Sequence, residues 1–110
     1  IERLAYEIIE DLSGEKVEAV YSAGGGSNSD VWLKIRASVM NVPIFKCKEA
    51  SGAFGAAIMA ASNTYYASLI EAASAMTQIE KEVQPDTTLL AAYEEQYLAF
   101  KQKLSDLNYL

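Results

Sequence analysis

The 110-residue sequence has no histidine, one cysteine, two prolines and one tryptophan. Without histidine the usual nitrogen ligand for a transition metal is missing, and Cys47 alone can make no internal disulfide. No imidazole is available to activate Cys47 either, so its expected role is structural. Basic residues are also scarce: nine Lys and Arg stand against fifteen Asp and Glu, a net charge of -6. That balance argues against a large nucleic-acid or anionic-membrane surface and leaves room only for a local basic pocket. No run approaches the roughly 18 apolar residues that span a bilayer, and no charged-then-apolar segment with a cleavage site opens the chain. The expectation is a globular, cytoplasmic protein with neither a membrane nor a nucleic acid as partner.

What is abundant is apolar material. Hydrophobic residues make up 51% of the chain, enough for a core in one domain or part of one. The chain opens without Met, and Ile1-Glu2-Arg3-Leu4 already reads as helix interior. A piece of a longer protein is therefore expected, with active-site residues outside these 110.

Along the chain, Leu4, Ile8, Ile9 and Leu12 recur with acids between them, the pattern of an amphipathic helix that stops at Ser13-Gly14. Val17 to Ser22 is β-prone. Ala23-Gly24-Gly25-Gly26-Ser27-Asn28-Ser29 then breaks the strand, and Asp30 to Met40 resumes with helical spacing. Ser27 or Ser29 can cap that helix; its expected buried stripe is Val31, Ile35 and Val39, widened by Trp32, with Lys34 and Arg36 facing solvent. Pro43 ends it, and Ile44 to Lys48 makes a second strand. A helix between two strands predicts a βαβ unit with parallel strands.

The small residues of Ser51 to Ala61 predict a closely packed helix, with Gly55 explained by close backbone contact. Ser68 and Glu71 have capping-box spacing for a helix reaching about Lys81. After Pro85, a last helix over 86–108 carries the apolar stripe Leu90, Tyr93, Tyr97, Phe100, Leu104 and Leu107. Glu80, Glu82, Glu94 and Glu95 read as solvated helix faces.

The glycine turn is the stretch with chemical potential. A turn between strand and helix leaves backbone N–H groups free, and glycines let a ligand approach the main chain. Two readings follow from the residues. Gly24, Gly25 and Gly26 can present a flat backbone to a nucleotide, with Ser29 offering a hydroxyl at the helix start. Alternatively, Gly24, Gly26 and Ser29 approximate the dinucleotide pattern G-x-G-x-x-G, with Glu49 as the ribose acid, although the third glycine is absent.

A resemblance adds to this. Gly24 through Ala37 resembles the GGGAxSxxWxQIxAD segment of the FGGY family of carbohydrate kinases. Val42-Pro43-Ile44 resembles that family's G-x-P-V strand start, and Glu49 through Ala57 resembles its E-x-x-A-x-GAA helix start. Asn41 and Ser38 depart from the pattern, where Gly and Asp are usual. The resemblance implies an α/β fold: the C-terminal portion of the second actin-like (ribonuclease H-like) ATPase domain, spanning residues 1–110, with a short parallel sheet and helices. It also implies an activity, transfer of the ATP γ-phosphate to a sugar or polyol hydroxyl. Xylulose, gluconate, glycerol and other polyols are all compatible.

By the same resemblance Gly24 and Gly25 line the ATP site and Ser29 lies beside the adenine, with Gly26 and Asn28 as weaker neighbours. The general base, the Mg2+ ligands and most of the sugar pocket fall outside this chain, which therefore holds no catalytic residue and should not catalyse by itself. A homodimer is compatible with the sequence. Two other functions stay open: an NAD-binding Rossmann-type oxidoreductase fragment using Glu49, and a non-catalytic helical interaction domain using the Leu90 to Leu107 stripe.

Overall fold

The computed structural model describes residues 1–110. The order is α1 (Glu2–Ser13), β1 (Val20–Ser22), a 3₁₀ turn (Gly25–Asn28), α2 (Asp30–Met40), β2 (Ile44–Cys47), α3 (Gly52–Ala61), α4 (Leu69–Met76), β3 (Ile79–Val83) and α5 (Leu90–Asp106).

Local signals set most boundaries. Gly14 ends α1 in the left-handed conformation at φ 73°, and Asn41 ends α2 the same way at φ 55°. Ser29, Ser51 and Ser68 begin α2, α3 and α4, each side chain accepting a bond from an amide three residues on. Glu71 reaches back to the amide of Ala67, one residue before the cap, completing a variant of the capping box.

β1 and β2 pair in parallel, Val20 opposite Ile44 and Ser22 opposite Lys46. The sheet is nevertheless mixed, because β3 adds antiparallel to β2 in the order β1-β2-β3. The helix expected to reach Lys81 ends at Met76. Ile79-Glu80-Lys81-Glu82-Val83 lies at a sheet edge with only Val83 buried, so its charged residues carry a strand that has almost no apolar signature.

The core is small. Val20, Leu33, Ala37, Ile44 and Val83 form it, with Tyr6, Val17, Met40 and Val42 packed around them. Leu33 and Ile44 are fully enclosed, worth about 1.5–3 kcal/mol each. In α2 the buried face is Leu33, Ala37 and Ser38, while Val31 is 71% and Trp32 50% exposed. The expected stripe of Val31, Ile35 and Val39 is thus rotated off the sheet, because Leu33 and Ala37, also four apart, face β1 and β2.

Helix α1 shows a similar reversal. Its inward face carries Arg3, Tyr6, Glu7 and Glu10, whereas Ile8, Ile9 and Leu12 are exposed. Arg3 donates to Glu7, pairs with Glu94 at 2.7 Å and lies 3.9 Å over the Tyr97 ring, linking α1 to α5. Tyr97 is the buried residue of the α5 stripe and donates its hydroxyl to Glu7 at 2.7 Å. Leu107, at the end of that stripe, is exposed.

Helix α3 packs against α4. A Cβ at Gly55 would meet nothing within 4 Å, so close backbone contact does not account for that glycine. On the sheet face opposite α2, Tyr21 stacks on Phe45 with ring centroids 5.3 Å apart.

Candidate functional site

Strand β1 ends at Ser22, and the chain then turns sharply. Gly24 takes φ 84° and ψ -176°, a conformation that side chains other than glycine's adopt only under strain. Its carbonyl accepts two bonds from Ser27, from the amide at 3.0 Å and from the hydroxyl at 2.6 Å. Ser27 is buried, so this double bond closes the 3₁₀ turn from inside. The Ser29 amide donates to the Gly26 carbonyl, and α2 starts at the next residue.

The five candidate residues therefore share one turn, and all five are exposed. A Cβ built on Gly25 would meet nothing within 4 Å, so the main chain there is open to an approaching group. Gly26 lies against the Trp32 ring, 3.5 Å from Cδ1 to a virtual Cβ. Trp32, expected in the core, is half exposed because it caps this side of the turn. Asn28 points to solvent at the end of the turn, and the Ser29 hydroxyl accepts from the Trp32 amide at 3.2 Å with its own proton still free to donate.

Charge at the turn narrows what it can take. Asp30 stands in the first turn of α2, at the positive end of the helix dipole. Lys81 binds it at 2.7 Å and holds its carboxyl below the usual range, so it stays ionised. The carboxylate and its ammonium partner leave little net charge at the helix N-terminus, which suits an uncharged base or ribose.

Because β1 and β2 are parallel, the glycine turn and Glu49 both follow the carboxyl ends of their strands, at the same end of the sheet. That is where open α/β sheets bind ligands. Glu49 itself faces another way, lining a cleft of about 280 Å3 with Lys48, Phe54, Met76 and Gln78. Of two larger clefts, the first lies away from the turn and the second adjoins it through Asp30 and its partner Lys81. One of about 480 Å3 sits among Arg3, Glu10, Met40 and Leu90, and one of about 570 Å3 among Val31, Ile35, Leu89 and Tyr93.

Two contributors to the turn were not singled out in the sequence. The sequence offers Ser27 as a helix cap, yet in the structure it locks the Gly24 carbonyl. Arg36, on the face expected to see solvent, donates at 2.6 Å to the buried Ser22 hydroxyl at the end of β1 and grips Glu2 at 2.8 and 2.5 Å. The available signal was the pairing of an acid at the start of α1 with a lone Arg on the mid-section of α2.

Comparison with known proteins bears on this geometry. Residues 2–64 match the family model described as the FGGY family of carbohydrate kinases, C-terminal domain. The chain is 28% identical over 108 residues to the xylulose kinase of Staphylococcus epidermidis, covering 92% of this chain and 22% of that protein. It is 38% identical over 63 residues to the xylulose kinase of Bacillus subtilis, covering 56% of this chain and 13% of that protein. The crystal structure of gluconate kinase from Lactobacillus acidophilus superposes with a TM-score of 0.78 at 25% identity, over 90% of this chain and 21% of that chain. The fold is accordingly α/β of the actin-like ATPase kind found in these sugar kinases, and the NAD-binding alternative is not favoured. The chain spans about a fifth of the length of the relatives it matches. With a family match over more than half its residues, the chain belongs to the FGGY family of carbohydrate kinases, in the part that is that family's C-terminal domain.

Proposed function

We propose that this chain is the C-terminal portion of the second actin-like domain of an ATP-dependent carbohydrate kinase, which moves the ATP γ-phosphate to a sugar or polyol hydroxyl. In this reading Gly24, Gly25 and Ser29 contact the adenosine part of the nucleotide, with Gly26 and Asn28 beside them. The observation that carries the proposal is the exposed glycine turn at the carboxyl end of a parallel strand pair, in a chain of the FGGY family.

The residues fit an adenosine moiety. The turn offers open main chain at Gly25 and a free hydroxyl proton at Ser29, and the Asp30–Lys81 pair leaves little net charge at the same spot. When bound, ATP supplies the phosphoryl group; this chain's part is to hold the base and ribose so that the group is presented in line. No three acidic, cysteine or histidine side chains converge on this chain, so it offers no all-protein cage for a metal ion. The proposal leaves the ion, the general base and the sugar pocket to other parts of the enzyme. An exposed turn suits one lip of a cleft that closes between two domains.

The test is Gly25→Val in the complete enzyme. The side chain has room, so the fold should persist, while the branched group would block the approach of the nucleotide. The ATP KM should rise by about tenfold or more, with the melting temperature unchanged. An unchanged ATP KM would overturn the assignment of this turn.

A further inference from the structure

We propose that Arg36 is a positioning residue for the nucleotide turn, acting through Ser22. The inference rests on the reading of the turn given above, and it adds a residue that the family pattern leaves unspecified.

The geometry is a three-way junction. The Arg36 guanidinium comes from the middle of α2 and is largely enclosed, with a side-chain exposure of 15%. Two of its nitrogens bind the Glu2 carboxylate at the start of α1, at 2.8 and 2.5 Å. The third donates at 2.6 Å to the Ser22 hydroxyl. Ser22 is buried, closes β1 and lies two residues before Gly24, whose conformation sets the course of the turn. On the far side the turn is held by Ser27, through the Gly24 carbonyl.

The turn is therefore clamped at both of its ends, by Ser27 within it and by Arg36 at the strand that feeds it. A guanidinium suits this junction because its planar fork meets a carboxylate with two parallel bonds and still has a donor for a hydroxyl. A lysine could satisfy one partner at a time. Without the Arg36–Ser22 bond the strand end loses its polar tether to α2 and keeps only the packing of Val20 among the core residues of α2, so the glycine backbone is held less firmly relative to the helix start where Ser29 sits. Small displacements of a binding group cost affinity steeply.

The test separates positioning from simple stability. Ser22→Ala removes the strand-end tether and leaves the Arg36–Glu2 pair. Glu2→Gln weakens the ion pair and leaves the Arg36–Ser22 bond. Arg36→Met removes both, and Ser22→Ala keeps the test alive should that variant fold poorly. In the complete enzyme, Ser22→Ala and Arg36→Met should raise the ATP KM by on the order of tenfold, with the sugar KM and the kcat at saturating ATP near those of the parent. Glu2→Gln should lower the melting temperature with the ATP KM unchanged. The inference is overturned if Ser22→Ala leaves the ATP KM unchanged, or if Glu2→Gln raises it as much. A Gly25→Val variant assayed alongside tells the two failures apart. If it raises the ATP KM while Ser22→Ala does not, only the role of Arg36 falls; if it too is silent, the nucleotide turn itself is misassigned.

Discussion

Adjacent glycines in the turn do different physical work. Gly24 has φ 84° and ψ -176° with open space where a Cβ would stand, so the cost of a side chain there is conformational strain. Gly25 has the same open space and no positive φ. Gly24→Ala should therefore lose about 1–3 kcal/mol in urea denaturation, while Gly25→Ala should be close to neutral. Equal losses would show that the strain is not located at Gly24. Ser38 ties two segments together. Where the family pattern has Asp, this buried hydroxyl donates to the Lys34 carbonyl at 2.7 Å and accepts from the Asp86 amide at 2.9 Å. It ties α2 to the segment before α5, and Ser38→Ala should cost about 1–3 kcal/mol by orphaning the Asp86 amide. A loss below the error of the measurement would mean that water replaces the hydroxyl.

Among the elements, those with local signatures were legible in the sequence and those fixed by packing were not. Gly14, Ser29 and Ser68 mark helix ends by their own chemistry, and those three ends lie where the sequence places them, whereas β1 begins at Val20 and not at Val17. The pairing of β1 with β2 followed from the helix between them. Strand β3 was hidden because Glu80, Lys81 and Glu82 are helix-compatible residues at an exposed edge. The inward faces of α1 and α2 differ from the expected ones for one reason. Each helix carries two stripes at helical spacing, and tertiary contacts choose between them. In α1 the chosen stripe is polar, which no hydrophobicity pattern reveals. The five candidate site residues were legible as one turn from their glycines; the clamp on that turn was not, because Ser22 and Arg36 lie fourteen residues apart.

The polar seams between elements carry a pH dependence. Hydrogen bonds from Arg36 hold the Glu2 carboxyl below its ordinary value of 4.5. Burial pushes Glu7 up, but donors on Tyr97, Lys101 and Arg3 outweigh it and hold that carboxyl below 4.5 as well. Both groups have lowered folded values, so their contribution to stability is fully present above about pH 4.5 and is lost as pH falls through those lower values. The urea midpoint should decline with acidification in that window, and Glu7→Gln should flatten the decline. A variant with an unaltered slope would remove Glu7 from the account. Tyr97→Phe should in addition destabilise at neutral pH by about 1 kcal/mol, the worth of a hydrogen bond to a charged group discounted for the partial exposure of Glu7.

At the scale of the molecule the chain is extended. Its radius of gyration is 17.0 Å, against about 13 Å for a compact domain of this length. Only 10 of 110 residues are buried, and Ile8, Leu12, Tyr21, Met59 and Ile70 are exposed. Parallel strands are ordinarily covered on both faces, whereas the Tyr21–Phe45 face here is open. A core of five residues cannot hold every element equally. Expressed alone, the chain should exchange amide hydrogens slowly in α2 and β2 and much faster in α3 and α4, where no residue is fully enclosed except Ala72. Uniform protection would contradict a core confined to the sheet and α2.

The central claim is that the turn from Gly24 to Ser29 meets the adenine nucleotide. Hydrogen–deuterium exchange of the complete enzyme, with and without ADP, tests it most directly. The account predicts slower exchange of the peptide covering residues 23–30 on adding ADP, with α1 unaffected. ADP-dependent protection that appears elsewhere in the enzyme and leaves residues 23–30 unchanged would contradict it.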